Sequence, residues 1–202
     1  LALAPFFLAW RVGRRAIPLL ASLLGATLLA WNVPAVPWGV VAYGRQFSAK
    51  TLQGDLLYMG EGMNASVAVS ELYKTRRFHV SGKVEASSDQ QDMRLQRRRG
   101  HIPALLHPLP RSVLVGGCGA GVTAGSFVVH PGVERIVICE IEPLIPPAVA
   151  HYFGQENHGV LRDRRTEVVY DDARHYILTT SEKFDIITSD PIHPWVKGSA
   201  TL

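Results

Sequence analysis

The first 44 positions are apolar without a period, whereas much of the chain beyond them alternates. From Ala16 to Gly44 there are 29 consecutive residues without a charge, and Ala16–Trp31 (AIPLLASLLGATLLAW) is dense in leucine and alanine. A bilayer crossing takes roughly 20 apolar residues at ~1.5 Å rise each, so the run predicts one helix from about Ala16 to Val36. Pro18 falls in its first turn, and Pro34 and Pro37 end it. Trp31, Trp38 and Tyr43 gather at the far end, where amphipathic rings favour the headgroup level. Residues 1–10 (LALAPFFLAW) read as the tail of an earlier span. A cleaved signal peptide is the competing reading, since Arg11, Arg14 and Arg15 imitate its basic start. The apolar decapeptide before them opposes it, as does the lack of a small-x-small site followed by a polar mature start. The chain opens on Leu1 inside an apolar run and stops at Leu202 shortly after a candidate catalytic loop, so it reads as a piece of something longer.

After a linker over Arg45–Gly60, the runs Ala65–Glu71 (ASVAVSE), Arg76–Val80 (RRFHV) and Lys83–Ala86 alternate with period two around a Ser81-Gly82 turn. That pattern predicts a small antiparallel β unit. Gln90–Arg99 (QQDMRLQRRR) is a polar helix with four arginines, read as a solvated face, and Gly100, Pro103, Pro108 and Pro110 punctuate the chain after it. From Arg111 the pattern changes. Ser112–Val115 (SVLV), Arg135–Cys139 (RIVIC), Glu167–Tyr170 (EVVY) and Phe184–Ser189 (FDIITS) are short apolar runs separated by connectors of crossover length, which predicts a parallel α/β sheet. The expected division is therefore a transmembrane part over 1–44, a linker, small β domain and helix over 45–100, and an α/β domain over 101–202 that is incomplete at its C-terminal end.

Composition narrows the function. With 47% hydrophobic and 19% charged residues, the 202-residue chain can bury a sizeable core. Three of the 21 basic side chains and none of the 17 acidic ones lie in residues 1–44, so the remainder is close to charge balance. A nucleic-acid partner is not expected, because such a protein concentrates basic charge on its folded domain. Cys118 and Cys139 have no secreted disulfide context and are read as reduced thiols.

Each predicted parallel strand ends in glycines or acids, and ligands of such sheets bind beyond the carboxyl ends of the strands. After the first come Gly116-Gly117-Cys118-Gly119-Ala120-Gly121, where Gly117, Gly119 and Gly121 form G-x-G-x-G rather than the dinucleotide spacing. Glu140 ends the second strand about 20 residues later, where a carboxylate can accept both hydroxyls of an adenosyl ribose. Asp171-Asp172 come after the third strand, where an acid can accept from an adenine amine or simply cap a helix. Asp190 ends the fourth and opens the proline-rigidified loop Asp190-Pro191-Ile192-His193-Pro194-Trp195, poised to receive an amine or a cation. His151, Glu156 and His158 lack zinc spacing and no CxxC occurs, so no metal is expected. No serine sits in a G-x-S-x-G elbow, which removes hydrolase readings.

The ordered segments EGMNASVAV, HVSGKVEAS, GHIPALLHP, SVLVGGCGAGVTAG, ICEIEP, VVYDDAR and FDIITSDPIHPWVKGSATL, between Glu61 and Leu202, resemble the spermidine synthase (polyamine aminopropyltransferase) family, specifically its bacterial membrane-fused branch. The resemblance implies a class I methyltransferase-like Rossmann domain behind a small β domain. It implies aminopropyl transfer from decarboxylated S-adenosylmethionine, as co-substrate, to a polyamine acceptor. The glycine loop and Glu140 would hold the nucleoside, Asp172 the adenine, and Asp190 would be the catalytic aspartate, with His193 sharing its proton relay or packing beside Trp195. Three positions depart from the family pattern. Gly119 stands where the glycine loop usually carries an aspartate, His193 where the catalytic loop has a second aspartate, and Leu95-Gln96-Arg97 where the family has Tyr-Gln-Glu. An S-adenosylmethionine-dependent methyltransferase and a non-catalytic membrane sensor of nucleosides or polyamines are the alternative readings. A multi-pass protein of the bacterial inner membrane is expected. Its catalytic domain is expected in the cytoplasm, although the arginines before Ala16 favour the opposite orientation for a single crossing. A homodimer is the further assembly considered.

Overall fold

The structure is a computed structural model and describes residues 18, 20–34, 36–44 and 54–189. The chain divides into two units, Leu1–Val36 and Pro37–Leu202. In the first, a helical run over 20–31 (α1) leaves Leu20, Leu23, Leu24, Leu28 and Leu29 exposed. The helix stops short of the expected Val36. The Asn32 N–H is shared between the carbonyls of Leu28 and Leu29, its side chain also donates to Leu28, and Pro34 cannot continue the ladder. Among the described residues no helix is long and apolar enough to cross a membrane.

The second unit begins at Pro37, and its first element is the short helix α2 (Trp38–Tyr43). Ala42 and Tyr43 are buried against Ala68, with Trp38 and Val84 packed alongside, so Trp38 and Tyr43 pack in a protein core rather than forming an aromatic belt. The sheet they cover is an antiparallel meander of β1 (Asp55–Glu61), β2 (Ser66–Leu72), β3 (Thr75–Val80) and β4 (Lys83–Ser87). Period-two alternation sorts its faces. Val67, Val69 and Phe78 enter the main core, while Ala68 between them turns to α2.

Asp89 caps α3 (Gln90–Leu106) by accepting the Gln91 N–H. Contrary to the punctuation read at Gly100 and Pro103, α3 runs through both. A Cβ at Gly100 would lie 2.5 Å from the Ser126 Cβ and 2.6 Å from the Thr123 carbonyl, so this glycine permits close helix packing rather than ending the helix. Then come β5 (Ser112–Gly116), α4 (Val122–Val128), β6 (Arg135–Cys139), α5 (Ile145–Tyr152), a single 3-10 turn at Val160–Arg162, β7 (Thr166–Val169), α6 (Ala173–Thr179) and β8 (Ile186–Ser189). The strands are parallel in the order β7-β6-β5-β8, as the alternating runs predict. Val113, Val115, Ile136 and Ile138 face a core shared with Phe127, Val149, Phe153 and the antiparallel sheet.

Candidate active site

The parallel order puts the C-terminal ends of all four strands on one edge, with β5 and β6 at its centre. The glycine loop leaves β5 there. Gly117, Gly119 and Gly121 all take positive φ (86°, 50° and 75°), which L side chains rarely adopt. The Gly117 N–H donates to the Cys139 carbonyl at 2.8 Å, tying the loop to β6. A Cβ built at Gly117 or Gly119 would meet nothing within 4 Å, so the loop borders open space. At Gly121 it would instead meet the Asn157 side chain at 2.9 Å. Asn157 is buried and donates from Nδ2 to the Ala120 carbonyl, which props the loop from behind.

Glu140 lies at the tip of β6, 5% exposed. Its Oε2 accepts the Cys118 N–H at 2.8 Å and its Oε1 the Glu142 N–H at 2.9 Å. Burial raises its pKa, opposed by the N–H donors. The carboxylate thus joins the tips of β5 and β6 while retaining lone pairs for hydroxyl donors. Burial first, and then the charge of Glu140, push the Cys118 thiol far above its ordinary value. Burial likewise raises Cys139 to about 11, so both are inert thiols, free as the sequence suggests.

Beyond β7 the two aspartates divide. Asp172 is the N-cap of α6, its Oδ1 accepting from the N–H groups of Arg174 and His175, and its Oδ2 pairs with the Arg174 guanidinium at 3.3 Å. The Arg174 side chain and these N–H groups hold its carboxyl below the usual range. The capping alternative is therefore the role seen for Asp172. Asp171 accepts from His175 Nδ1 at 2.7 Å and from the Asp172 N–H. Asp190 and His193 lie outside the described residues.

Two further residues escape a reading of the sequence. Glu142, 1% exposed, accepts the N–H groups of Asn64, Ala65 and Leu144. Gln96 is buried on α3, and its side-chain amide nitrogen has no partner among the described residues; the hydroxyl of Thr123, two residues past the glycine loop, donates to the main-chain carbonyl of Gln96. Their only sequence signals are an acid two residues after Glu140 and a glutamine retained within an otherwise altered Leu95-Gln96-Arg97. Among the described residues no three His, Cys, Asp or Glu side chains gather as metal ligands.

Open space beside a left-handed glycine loop, with a buried carboxylate on the neighbouring strand, suits a nucleoside. The model of the spermine/spermidine synthase domain matches residues 94–201, more than half of the chain. The chain belongs to the spermine/spermidine synthase family. It is similar to the polyamine aminopropyltransferase of Aeropyrum pernix, 28% identical over 73% of this chain and 47% of that protein. The corresponding protein of Thermotoga petrophila is 31% identical over 58% of this chain and 39% of its own length. Among solved structures, spermidine synthase in complex with the transition-state analogue AdoDATO superposes with a TM-score of 0.61 at 27% identity, covering 67% of this chain and 47% of that one. Spermidine synthase from Thermotoga maritima gives 0.62, also at 27% identity, covering 69% of this chain and 47% of that one. The chain thus spans about half the length of the relatives it matches. These matches agree with the expected Rossmann-like domain behind a small antiparallel β domain.

Proposed function

We propose that this chain carries the nucleoside half of an enzyme that transfers an aminopropyl group from decarboxylated S-adenosylmethionine to a polyamine acceptor. The supporting observation is the Glu140 carboxylate, held across from the glycine loop by the Cys118 N–H beside open space at Gly117 and Gly119. The names of the similar proteins, polyamine aminopropyltransferase and spermidine synthase, support the same chemistry. In that reaction the lone pair of an amine nitrogen attacks the carbon beside the sulfonium. The new C–N bond forms as the C–S bond breaks, and its electrons leave on sulfur as methylthioadenosine. The sulfonium is already a good leaving group, so the protein mainly contributes alignment and a proton acceptor. Asp190 takes that proton in this reading, with His193 as its relay partner. Glu140 receives the ribose hydroxyls and Asp171 the adenine amine, leaving Asp172 to start α6.

Product analysis of the detergent-solubilised protein with putrescine and decarboxylated S-adenosylmethionine tests the proposal. Methylthioadenosine and spermidine are expected. In Asp190→Asn, turnover should fall on the order of 10²-fold with nucleoside binding retained, the range for a positioned general base. Wild type that yields neither product overturns the assignment. The open space at Gly119 also has room for the carboxylate of ordinary S-adenosylmethionine, so a methylated amine from that donor would establish methyl transfer instead.

The membrane reading of residues 1–44, and with it the membrane-fused branch, has its own support. The leucines of α1 are exposed, while Ser22, Thr27 and Asn32 each donate to the carbonyl four residues earlier, the way polar side chains are satisfied within lipid. Recovery of the chain in the aqueous fraction after carbonate extraction would count against a span.

A further inference from the structure

We propose that Glu142 is a positioning residue for the nucleoside site, coupling the antiparallel sheet to Glu140. This rests on the nucleoside reading of Glu140. The carboxylate of Glu142 is one of the most deeply buried acids of the protein and has no cationic partner among the described ion pairs. It is held by N–H groups from two separate elements. Oε2 accepts from Asn64 at 2.8 Å and Ala65 at 3.1 Å, in the turn between β1 and β2; Oε1 accepts from Leu144 at 3.1 Å, where α5 begins. The same turn is fastened a second time by the Asn64 side chain, which donates to the Ile141 carbonyl at 2.7 Å. Gly62, whose N–H closes the turn on the Ala65 carbonyl, has no room for a side chain, because a Cβ there would overlap the Glu142 carboxylate.

The backbone of Glu142 points the other way. Its N–H donates to Glu140 Oε1 at 2.9 Å, while Glu140 Oε2 receives the Cys118 N–H of the glycine loop. A continuous set of hydrogen bonds therefore runs from the β1–β2 turn through Glu142 and Glu140 to the glycine loop. Burial alone would raise the pKa of Glu142, but the donors from Asn64, Leu144 and Ala65 outweigh it and keep the carboxylate ionised. An uncompensated buried charge is costly unless its lone pairs are filled. The turn and the loop after β6 are accordingly held in one arrangement, and that arrangement fixes which way Glu140 faces.

Two variants approach the contact from opposite sides. Glu142→Gln places an amide N–H₂ among three N–H donors, and Gly62→Ala drives the turn away from an intact Glu142. Calorimetry with methylthioadenosine, together with kinetics in decarboxylated S-adenosylmethionine, should show Kd and KM rising about tenfold in each, the scale of a lost charge-assisted hydrogen bond. The kcat of folded enzyme should stay within about twofold, since no reacting group is touched. The double variant should be no worse than the worse single one, because both break the same contact. A purely structural role would lower Tm and the active fraction without moving KM. Unchanged Kd in Gly62→Ala, or in folded Glu142→Gln, overturns the coupling while leaving the nucleoside reading intact. Failure of the wild type to bind any S-adenosyl compound overturns both.

Discussion

His79 donates its Nδ1–H to the carbonyl of Ala42 at 2.9 Å, and this bond ties α2 to the third strand of the antiparallel sheet. The tautomer is set by the partner, since a carbonyl can only accept, and Nε2 is then free to accept from the Ser70 hydroxyl at 2.8 Å. Burial lowers the pKa of His79 from 6.5 to about 4, against the raising effect of the Ala42 bond and with a smaller lowering by Arg77. The neutral form is thus the folded one. Unfolded chains take up a proton near pH 6.5 that folded chains refuse until about pH 4, so the contribution is complete above 6.5 and lost as pH falls toward 4. Denaturant melts of wild type should show stability falling through this window by at most about 1.4 kcal/mol per pH unit from this one proton. His79→Leu should flatten that share. His101, lowered by burial and by His130 and His158, contributes with the same sign and remains in both proteins, so the difference curve isolates His79. Parallel curves would remove His79 as the source.

Glu140→Ala should weaken binding of S-adenosyl ligands by roughly 1–3 kcal/mol, the loss expected when a buried, charge-assisted acceptor is removed. It should also loosen the glycine loop, because the Cys118 N–H loses its acceptor. Calorimetry checks the first effect and amide exchange at Cys118 the second. Retained affinity with faster exchange would separate loop support from ligand binding and end the ribose assignment.

The parallel half of the fold is the most legible part of the sequence, because its two buried central strands read as unbroken apolar runs: Arg135–Cys139 coincides with β6 and Ser112–Val115 lies within β5, while the other two runs overlap the more exposed outer strands β7 and β8. β1 reads as linker because a bulge between Leu56 and Tyr58 breaks its alternation and sets Leu56 beside Leu57. Gly100 and Pro103 look like breakers locally, and only the α4 surface explains why the helix needs a glycine there. Within the candidate site, the place of Glu140 beside the glycine loop is legible from its distance to the glycines. Asn157 and Glu142 are not, since their importance comes from partners 37 and about 77 residues away in sequence. Asp172 shows the limit of spacing arguments: an acid after a strand is equally well placed for a ligand and for a helix N-cap.

Gly100→Ala weighs two opposing effects. Alanine in a helix interior gains up to about 1 kcal/mol over glycine, whereas forcing a methyl group against Ser126 and the Thr123 carbonyl costs about 1–3 kcal/mol. The steric term is the larger at separations of 2.5–2.6 Å. Net destabilisation and a lower Tm are expected. A more stable variant would mean that α3 can shift away from α4 at little cost.

In the proposed reading the acceptor lies by Gly119 and His193, the two positions where the family resemblance implies aspartates. Gly119 has φ +50° and nothing within 4 Å of a Cβ, and aspartate is among the few residues that tolerate this conformation. Gly119→Asp should therefore fold with little change in Tm while adding a carboxylate to the open edge of the loop. At an effective dielectric of about 20, a carboxylate about 4 Å from an ammonium is attracted by about 4 kcal/mol before desolvation and side-chain ordering are subtracted, so KM for a dicationic diamine should fall about tenfold. His193→Asp should act in the same direction on the distal ammonium, and the two should exceed either alone if they contact different ends of the acceptor. Initial rates with putrescine at saturating decarboxylated S-adenosylmethionine measure all three variants against wild type. A fall in KM confined to Gly119→Asp would assign the recognised ammonium to the glycine loop. KM values unmoved in every variant would place the acceptor away from this edge and turn attention to a donor that carries the carboxylate itself.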